Sequence, residues 1–136
     1  MDTPQGLLVP NIKNVNELSI LEIAQELSRL MKLGQDGKLT ADDLKNGTIT
    51  LSNVGTIGGT YARPLITPPE VCIGAIGKMR RVPAFVGKSN EVVATNIMYV
   101  SWSGDHRIVD GATLTRFSNA WKEYLETPEA MMLNLR

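Results

Sequence analysis

The sequence has little of the chemistry on which several classes of protein depend. Its 136 residues include one cysteine and one histidine. The single cysteine, Cys72, excludes a disulfide within the chain and is typical of a reducing compartment. One histidine and one cysteine also do not supply the usual ligands of a zinc site, so we expect no bound metal.

The chain also lacks an excess of either charge and any long apolar run. Fourteen basic residues balance 14 acidic ones, so neither a nucleic-acid-binding surface nor a basic membrane-surface patch is indicated. The apolar runs are too short for a membrane-spanning helix. The first ten residues lack the basic-then-apolar pattern of a signal peptide. The length predicts one domain with a modest core.

Three helices begin at recognisable capping residues. Ser19 and Glu22 form a capping box before apolar residues at helical spacing, which predicts a helix ending just before Gly34. Thr40 starts a short second helix. Asp110 is a candidate N-cap for a third, whose apolar face comprises Leu114, Phe117, Trp121 and Leu125.

Strand-like runs alternate with these helices. A short edge strand interrupted by Pro10 is predicted first, and Pro128 lies in the first turn of a last short element. The two glycines in the run that follows Val71 indicate bulges or close backbone approach. The pattern predicts a mixed α/β fold, with strands at 6–12, 48–53, 71–79 and 91–103.

His106 is the first candidate for chemistry. It lies between Asp105 and Arg107, where a strand gives way to a helix. An imidazole titrates near neutrality, so it can take a proton from a thiol or a hydroxyl. The alternative interpretations are a structural histidine and, for Asp110, a simple N-cap that can also hold Arg107.

Ser52 is the second candidate, because it ends a strand and enters a glycine-rich loop. It lacks the sequence of a nucleophile elbow, so we expect a hydroxyl that donates a hydrogen bond to an oxyanion. The alternative is a serine that makes a local turn bond. Nearby basic residues are either a solvated edge or a phosphate contact: Lys78, Arg80 and Arg81.

The segment DHRIVDG (105–111) resembles the D-H-R-x-x-D-G signature of the acyltransferase core of 2-oxo acid dehydrogenase complexes. Other segments resemble the same family in the same order, and the loop 58–77 is most similar to its branched-chain members. These further segments are GTITLSNVG (47–55), ITPPEVCIGAIG (66–77), MYVSWSGDHRIVDGA (98–112) and MMLNL (131–135). The resemblance implies a chloramphenicol acetyltransferase-like fold, a two-layer sandwich of a mixed sheet and helices.

The resemblance also implies a reaction. An acyl group, of the branched-chain 2-methylpropanoyl type, passes between dihydrolipoamide and coenzyme A. His106 matches the general base, Ser52 the oxyanion donor and Asp110 the acid that organises the site. Matches to coenzyme A contacts are Ser52, Asn53, Gly77, Met79 and Asp2.

The implied assembly is a homotrimer in which the serine and histidine of one site come from neighbouring subunits. Trimers form a cubic 24-mer core through the C-terminal apolar hook, 131–135, for which burial within its own chain is the alternative. Decarboxylase and dihydrolipoyl dehydrogenase components bind through other domains. The mitochondrial matrix is the expected location, with bacterial cytoplasm as the alternative.

The resemblance begins within the family's catalytic domain. Residues 1–136 are therefore expected to be its incomplete C-terminal portion, without the lipoyl domain, the peripheral-subunit-binding domain or the first part of the core. Three alternatives stay open. They are a non-catalytic oligomerisation fragment, an acetyl- or succinyl-transferring member, and a Ser-His-Asp hydrolase, which the residue order disfavours.

Overall fold

The computed structural model describes residues 1–4, 6–85, 87 and 90–134. The chain divides into two compact units, one formed by residues 1–47 with 115–136 and the other by residues 48–114. All of the predicted site residues except Asp2 belong to the second unit. In each unit, some of the helices and strands were predicted from the sequence and others were not.

The first unit contains helix α1, Ile20–Gln35, which begins at the predicted capping box. Ser19 Oγ accepts a hydrogen bond from the Glu22 backbone, and the Glu22 carboxylate accepts one from the Ser19 N–H at 2.7 Å. These bonds satisfy amide groups that a helix start leaves unpaired. The predicted end before Gly34 is wrong, because Gly34 is a buried residue inside the helix, in close contact with the side chain of Met1.

A short helix, α2 (Ala41–Leu44), starts at Thr40 as predicted. The buried Asp43 carboxylate accepts hydrogen bonds from the Thr40 backbone at 2.8 Å and the Thr40 hydroxyl at 2.7 Å. It also accepts one from Arg29 of α1 at 2.8 Å. This carboxylate therefore joins the two helices.

The predicted strand 6–12 is mostly wrong. Only strands β1 (Asp2–Thr3) and β2 (Gly6–Leu7) form there, as an antiparallel pair. Residues 8–12 have no regular structure. Pro10 cannot donate a hydrogen bond to a ladder, which is consistent with the early end of the strand.

The strands of the second unit form a three-stranded sheet and a separate two-stranded ribbon. The strands are β3 (Ile49–Asn53), β4 (Cys72–Ile76), β5 (Arg80–Phe85), β6 (Val92–Ile97) and β7 (Val100–Gly104). In the sheet the order is β3-β4-β7, and in the ribbon β5 pairs with β6.

The sheet is mixed, because β4 runs parallel to β3 and antiparallel to β7. Its central strand β4 is buried along most of its length, including Cys72, Ile73 and Ala75. Gly74 lies against the Trp102 ring, with no room for a Cβ atom. The close approach predicted at the glycines of this run is confirmed.

The ribbon shows where the strand prediction was incomplete. The run 91–103, predicted as one strand, is two strands that belong to different sheets, with a break at residues 98–99. Strand β5 was not predicted, and it contains Pro83 opposite Ala94. A proline is tolerated in such a ribbon because each strand has an open edge.

Helices α3 (Gly111–Glu126) and α4 (Pro128–Met132) complete the described chain. Pro128 occupies the first turn of α4, as predicted. The predicted apolar hook is described only as far as Asn134, and its last residue, Leu135, lies outside the described residues. None of the helices in the described ranges is long and apolar enough to cross a membrane.

Candidate active site

Ser52 lies on β3 with its side chain on the half-buried face of the strand. Its neighbours Leu51 and Asn53 are exposed, as the alternation of side chains along a strand requires. The Ser52 hydroxyl has no hydrogen-bond partner among the residues that the structure describes. The local turn bond that was the alternative interpretation is therefore not made, and the hydroxyl is available to a ligand.

The loop after Ser52 is ordered by backbone hydrogen bonds. The N–H groups of Val54 and Gly55 both donate to the Ile76 carbonyl at 3.1 Å. A Cβ atom on Gly55 would lie 2.6 Å from the Gly77 carbonyl carbon, so the two backbones pack directly against each other. Glycine is required at position 55 because this contact leaves no space for a side chain.

Gly77 and Met79 lie at the same end of the sheet as Ser52 and Asn53. Asn53 is paired with Ile76, and Gly77 follows at once, its N–H donating to the Tyr99 carbonyl at 2.8 Å. Met79 is exposed. The structure thus brings together the predicted site residues Ser52, Asn53, Gly77 and Met79.

The basic residues near Met79 keep their charges exposed. None of the three forms an ion pair with a described residue. This is the solvated edge that the sequence indicated, and it also leaves the charges available to a phosphate. The three residues are Lys78, Arg80 and Arg81.

His106 projects from a turn that connects β7 to α3. The N–H groups of Ile108 and Val109 both donate to the Asp105 carbonyl, at 2.9 and 2.8 Å, which closes the turn. The imidazole is exposed and has no hydrogen-bond or ion-pair partner within the described part of the chain. It is free to meet a substrate or another chain.

Asp110 caps α3, as one interpretation of the sequence proposed. Its Oδ1 accepts the Thr113 backbone N–H at 2.7 Å, and its Oδ2 accepts the Thr113 hydroxyl at 3.1 Å. The cap fixes the C-terminal end of the His106 turn. Arg107, which the sequence offered as a partner of Asp110, instead forms an ion pair with Asp105 at 2.6 Å.

This pair was not predicted from the sequence, in which Asp105 and Arg107 are simply the charged neighbours of His106. The signal was an acid and an arginine two positions apart in a turn, a spacing at which an aspartate can accept the backbone N–H two residues ahead. The contact holds the pKa of Asp105 at about 2, chiefly because the Arg107 side chain donates to it.

Ser52 and His106 lie toward opposite ends of the sheet. Ser52 is level with Ala75 and Ser101, whereas Gly104 is level with Cys72 at the other end. The Asp105 N–H donates to the Val71 carbonyl at 2.8 Å, so the chain continues away from Ser52 before it reaches His106.

Strand geometry gives the size of this separation. Three residues along a strand and two strand spacings across put the Cα atoms of Ser52 and Gly104 roughly 14 Å apart. His106 lies two residues beyond Gly104. The two side chains of a single chain therefore do not meet on one small reacting group.

Asp2 belongs to the first unit, where it is exposed in β1 opposite Leu7. An open cavity of about 400 Å³ in the same unit contains none of the predicted site residues. Its charged side chains are engaged within the chain, for example Arg29 with Glu26 at 2.7 Å. The lining residues are Ile12, Lys13, Leu18, Glu22, Gln25, Glu26 and Arg29. Within the described ranges, no three His, Cys, Asp or Glu side chains converge as metal ligands.

A family model of the 2-oxoacid dehydrogenases acyltransferase (catalytic domain) matches residues 1–133. The chain belongs to this family. The lipoamide acyltransferase component of branched-chain alpha-keto acid dehydrogenase complex, mitochondrial, from Bos taurus is 60% identical over 136 residues. The alignment covers 100% of this chain and 28% of the bovine protein. The likeness to branched-chain acyltransferases predicted from the sequence is confirmed.

Solved acyltransferase structures agree with the fold. The dihydrolipoamide acetyltransferase of Azotobacter vinelandii, studied for the role of a serine, a histidine and an asparagine in its catalytic mechanism, gives a TM-score of 0.87 at 37% identity. The match covers 96% of this chain and 53% of that one. The cubic core of the pyruvate dehydrogenase multienzyme complex gives 0.88 at 36% identity, covering 97% and 54%. The predicted α/β, chloramphenicol acetyltransferase-like fold is confirmed.

Proposed function

We propose that this chain transfers an acyl group between dihydrolipoamide and coenzyme A as part of the core of a 2-oxo acid dehydrogenase complex. The observation that carries the proposal is a pair of unengaged polar groups, the Ser52 hydroxyl and the His106 imidazole, in a chain of the acyltransferase family. A single chain spans 28% of its bovine relative, so the activity of the whole protein is part of the proposal.

The chemistry needs no covalent acyl-enzyme. His106 takes the proton from the thiol of coenzyme A, and the resulting thiolate attacks the carbonyl carbon of the acyl-dihydrolipoamide thioester. Ser52 donates a hydrogen bond to the oxygen that becomes negative. When the intermediate collapses, the carbon–sulfur bond to dihydrolipoamide breaks and His106 returns the proton to that sulfur. The reverse direction uses the same groups.

Asp110 supports this chemistry from the end of the turn. Its carboxylate caps α3 through Thr113, four positions after His106. The histidine and asparagine studied in the Azotobacter acetyltransferase are also four positions apart. We propose that Asp110 organises the site by keeping the His106 turn in register with the helix.

The active site lies between two chains. Because Ser52 and His106 are toward opposite ends of one sheet, they can act on the same thioester only if each comes from a different chain. A homotrimer places such pairs at each of its interfaces. The cubic core with which this chain shares its fold supports further assembly into a 24-mer.

Coenzyme A is proposed to approach from the Ser52 end of the sheet. Asn53, Gly77 and Met79 lie there with Ser52, and this grouping supports their role in binding the pantetheine arm. Asp2 is proposed as a further contact from the first unit. The lipoyl group arrives on a separate domain.

The acyl preference is proposed to be for branched-chain groups of the 2-methylpropanoyl type. The 60% identity to the bovine branched-chain protein, against 37% to the Azotobacter acetyltransferase, supports it. A single methylene changes specificity by only about 1–3 kcal/mol, so the preference depends on the shape of the acyl pocket.

The remaining assignments follow from the same relative. The mitochondrial name of the bovine protein supports a location in the mitochondrial matrix. The decarboxylase and dihydrolipoyl dehydrogenase components are the proposed partners. We propose that residues 1–136 are the C-terminal portion of the catalytic domain.

A transfer assay on the full-length gene product tests the function. We expect formation of 2-methylpropanoyl-coenzyme A from the acylated lipoyl donor, with a slower reaction for an acetyl donor. His106→Ala removes the base and is expected to lower kcat by about 10²–10⁴-fold. Unchanged turnover in this variant would remove the base role of His106.

A non-catalytic assembly module is the second candidate. Exposed apolar side chains near the C-terminus favour it, with Met132 and Leu133 at 74% and 88% exposure. Sedimentation combined with coenzyme A titration separates the two. Oligomers that bind no coenzyme A favour the module, whereas saturable binding favours the acyltransferase.

A further inference from the structure

The turn that carries His106 is closed by an ion pair between the two residues that flank it. Arg107 Nε lies 2.9 and 3.2 Å from the two Asp105 carboxylate oxygens, and a second guanidinium nitrogen lies 2.6 Å from Oδ2. The Arg107 backbone N–H also donates to Oδ1, at 3.1 Å. One carboxylate thus binds both the backbone and the side chain of the residue after His106.

This arrangement holds the backbone on both sides of His106. Asp105 is itself anchored, because its N–H donates to Val71 and its carbonyl accepts two N–H groups of the turn. Arg107 is then anchored to Asp105. Between them, His106 has little freedom to change its backbone angles.

The pair acts locally, because it joins residues two positions apart in one turn. The Arg107 side chain is 88% exposed, against 19% for Asp105. Water screens the exposed guanidinium and weakens its contribution to folding stability, although bidentate geometry retains more than a single contact does. The residue that lies inside the ordered turn is His106.

We infer that the Asp105–Arg107 pair positions His106: it fixes the direction in which the His106 side chain leaves the backbone and cancels the charge beside it. This inference rests on the proposed function, because it assigns His106 the role of base. In this inference neither Asp105 nor Arg107 contacts the substrate, and both residues act through His106.

Charge cancellation matters because a base must be neutral to accept a proton. An unpaired aspartate beside the imidazole favours the imidazolium, whereas an unpaired arginine disfavours it. Paired, the two charges largely offset each other.

Other titratable groups lie at the same end of the sheet. The Glu70 carboxylate accepts a hydrogen bond from the Thr50 hydroxyl, and Asp110 caps α3. Cys72 is buried, which raises the pKa of its thiol. The variants below leave all three groups in place, so differences between variants report the Asp105–Arg107 pair alone.

The test measures kcat and the pH profile of kcat/KM for the assembled full-length gene product. Arg107→Gln leaves Asp105 uncompensated, so the acid limb is expected to move to higher pH. Asp105→Asn leaves Arg107 uncompensated, so the limb is expected to move to lower pH. In both variants kcat is expected to fall by about 10- to 100-fold, because the imidazole is misplaced.

Two further variants separate charge from geometry. The double variant Asp105→Asn with Arg107→Gln restores neutrality, so its acid limb returns to the wild-type position while kcat stays low. Arg107→Lys keeps the charge but loses the planar fork, and is expected to keep the wild-type acid limb with an intermediate kcat.

Lys122→Gln is the matched control, because it breaks another exposed pair, with Glu126 at 3.8 Å in α3. It is expected to leave kcat and the pH profile unchanged. Sedimentation confirms that every variant still assembles.

The outcomes distinguish this inference from the proposed function. If wild type is active and His106→Ala is not, but the Asp105 and Arg107 variants keep wild-type kcat and pH profiles, the inference is overturned and the function stands. Acid limbs that move in the same direction in both single variants also overturn it. If wild type transfers no acyl group, the proposed function fails first.

Discussion

Two polar side chains in the second unit, Ser52 and His106, have no partner within the described part of their own chain. Ser52 is half-buried and His106 is exposed, so water can reach both groups in the single chain. Both groups are therefore available for the proposed roles between chains. For Ser52 the proposed role is a hydrogen bond that strengthens as the carbonyl oxygen gains negative charge.

Ser52→Ala is expected to lower kcat and leave the fold intact. The lost oxyanion bond raises the barrier by about 2–4 kcal/mol, so kcat falls by about 30- to 10³-fold with little change in KM. Stability stays close to wild type, because the hydroxyl makes no bond within the described residues. Steady-state kinetics and thermal unfolding measure the two effects.

Ser101→Ala provides the control for Ser52→Ala. Ser101 is on the same level of the sheet, two strands away, and is also half-buried. We expect near wild-type kcat from it. If the kcat of Ser52→Ala equals that of this control, Ser52 does not stabilise the oxyanion.

At the scale of elements, helices α1 and α2 are joined by one carboxylate. The side chain of Arg29 and the side chain and backbone of Thr40 all donate to Asp43, and together they lower its pKa from 3.8 to about 2. A carboxyl group whose pKa is lower in the folded state stabilises the fold above its unfolded pKa. That contribution is lost as the pH falls from about 4 to about 2.

Asp43→Asn is expected to destabilise the chain at neutral pH and to flatten its acid sensitivity. The amide keeps one acceptor oxygen but loses the charge that Arg29 and the Thr40 N–H bind. Urea unfolding at several pH values between about 5 and 2, followed by circular dichroism, measures both effects.

Asp42→Asn is the control for Asp43→Asn, since it removes an exposed carboxylate one position earlier in α2. Thr40→Ala, which removes the cap alone, is expected to cost about 1 kcal/mol. If Asp43→Asn and Asp42→Asn lose stability equally on acidification, Asp43 does not join the helices as described.

At the scale of the whole molecule, the sheet order determines how a complete site can form. Strands β3 and β7 are separated by β4, and Ser52 and the His106 turn lie toward opposite ends of them. A closed ring of identical chains can bring one end of each sheet to the opposite end of its neighbour's. The strand order is therefore consistent with the proposed trimer.

Mixed particles test this arrangement. Co-assembled Ser52→Ala and His106→Ala chains, each inactive alone, are expected to recover about one quarter of the wild-type sites when mixed equally, because half of the chains carry each intact group. Activity after dissociation and reassembly is the measurement. Particles that are shown to be mixed but recover no activity would mean that both groups come from one chain.

The sequence by itself determined the local features. The sequence predicts three helix caps, and the structure confirms all of them: Ser19, Thr40 and Asp110. A cap bonds to an amide two or three residues away and needs no distant partner. The segment 105–111 indicated the family without any structure. The close packing at Gly74 of β4 and at Gly77 just after it was also predicted, since glycine in a strand-like run signals close approach.

Only the tertiary structure decided the features that depend on distant residues. Strand β5 and the division of 91–103 into two strands follow from which strands pair, and pairing joins segments that local pattern does not connect. Gly34 lies inside α1 and against Met1, a contact with a distant residue that no helix-end signal can show. The separation of Ser52 from His106 likewise depends on strand direction and register, which are set by hydrogen bonds between strands far apart in the sequence.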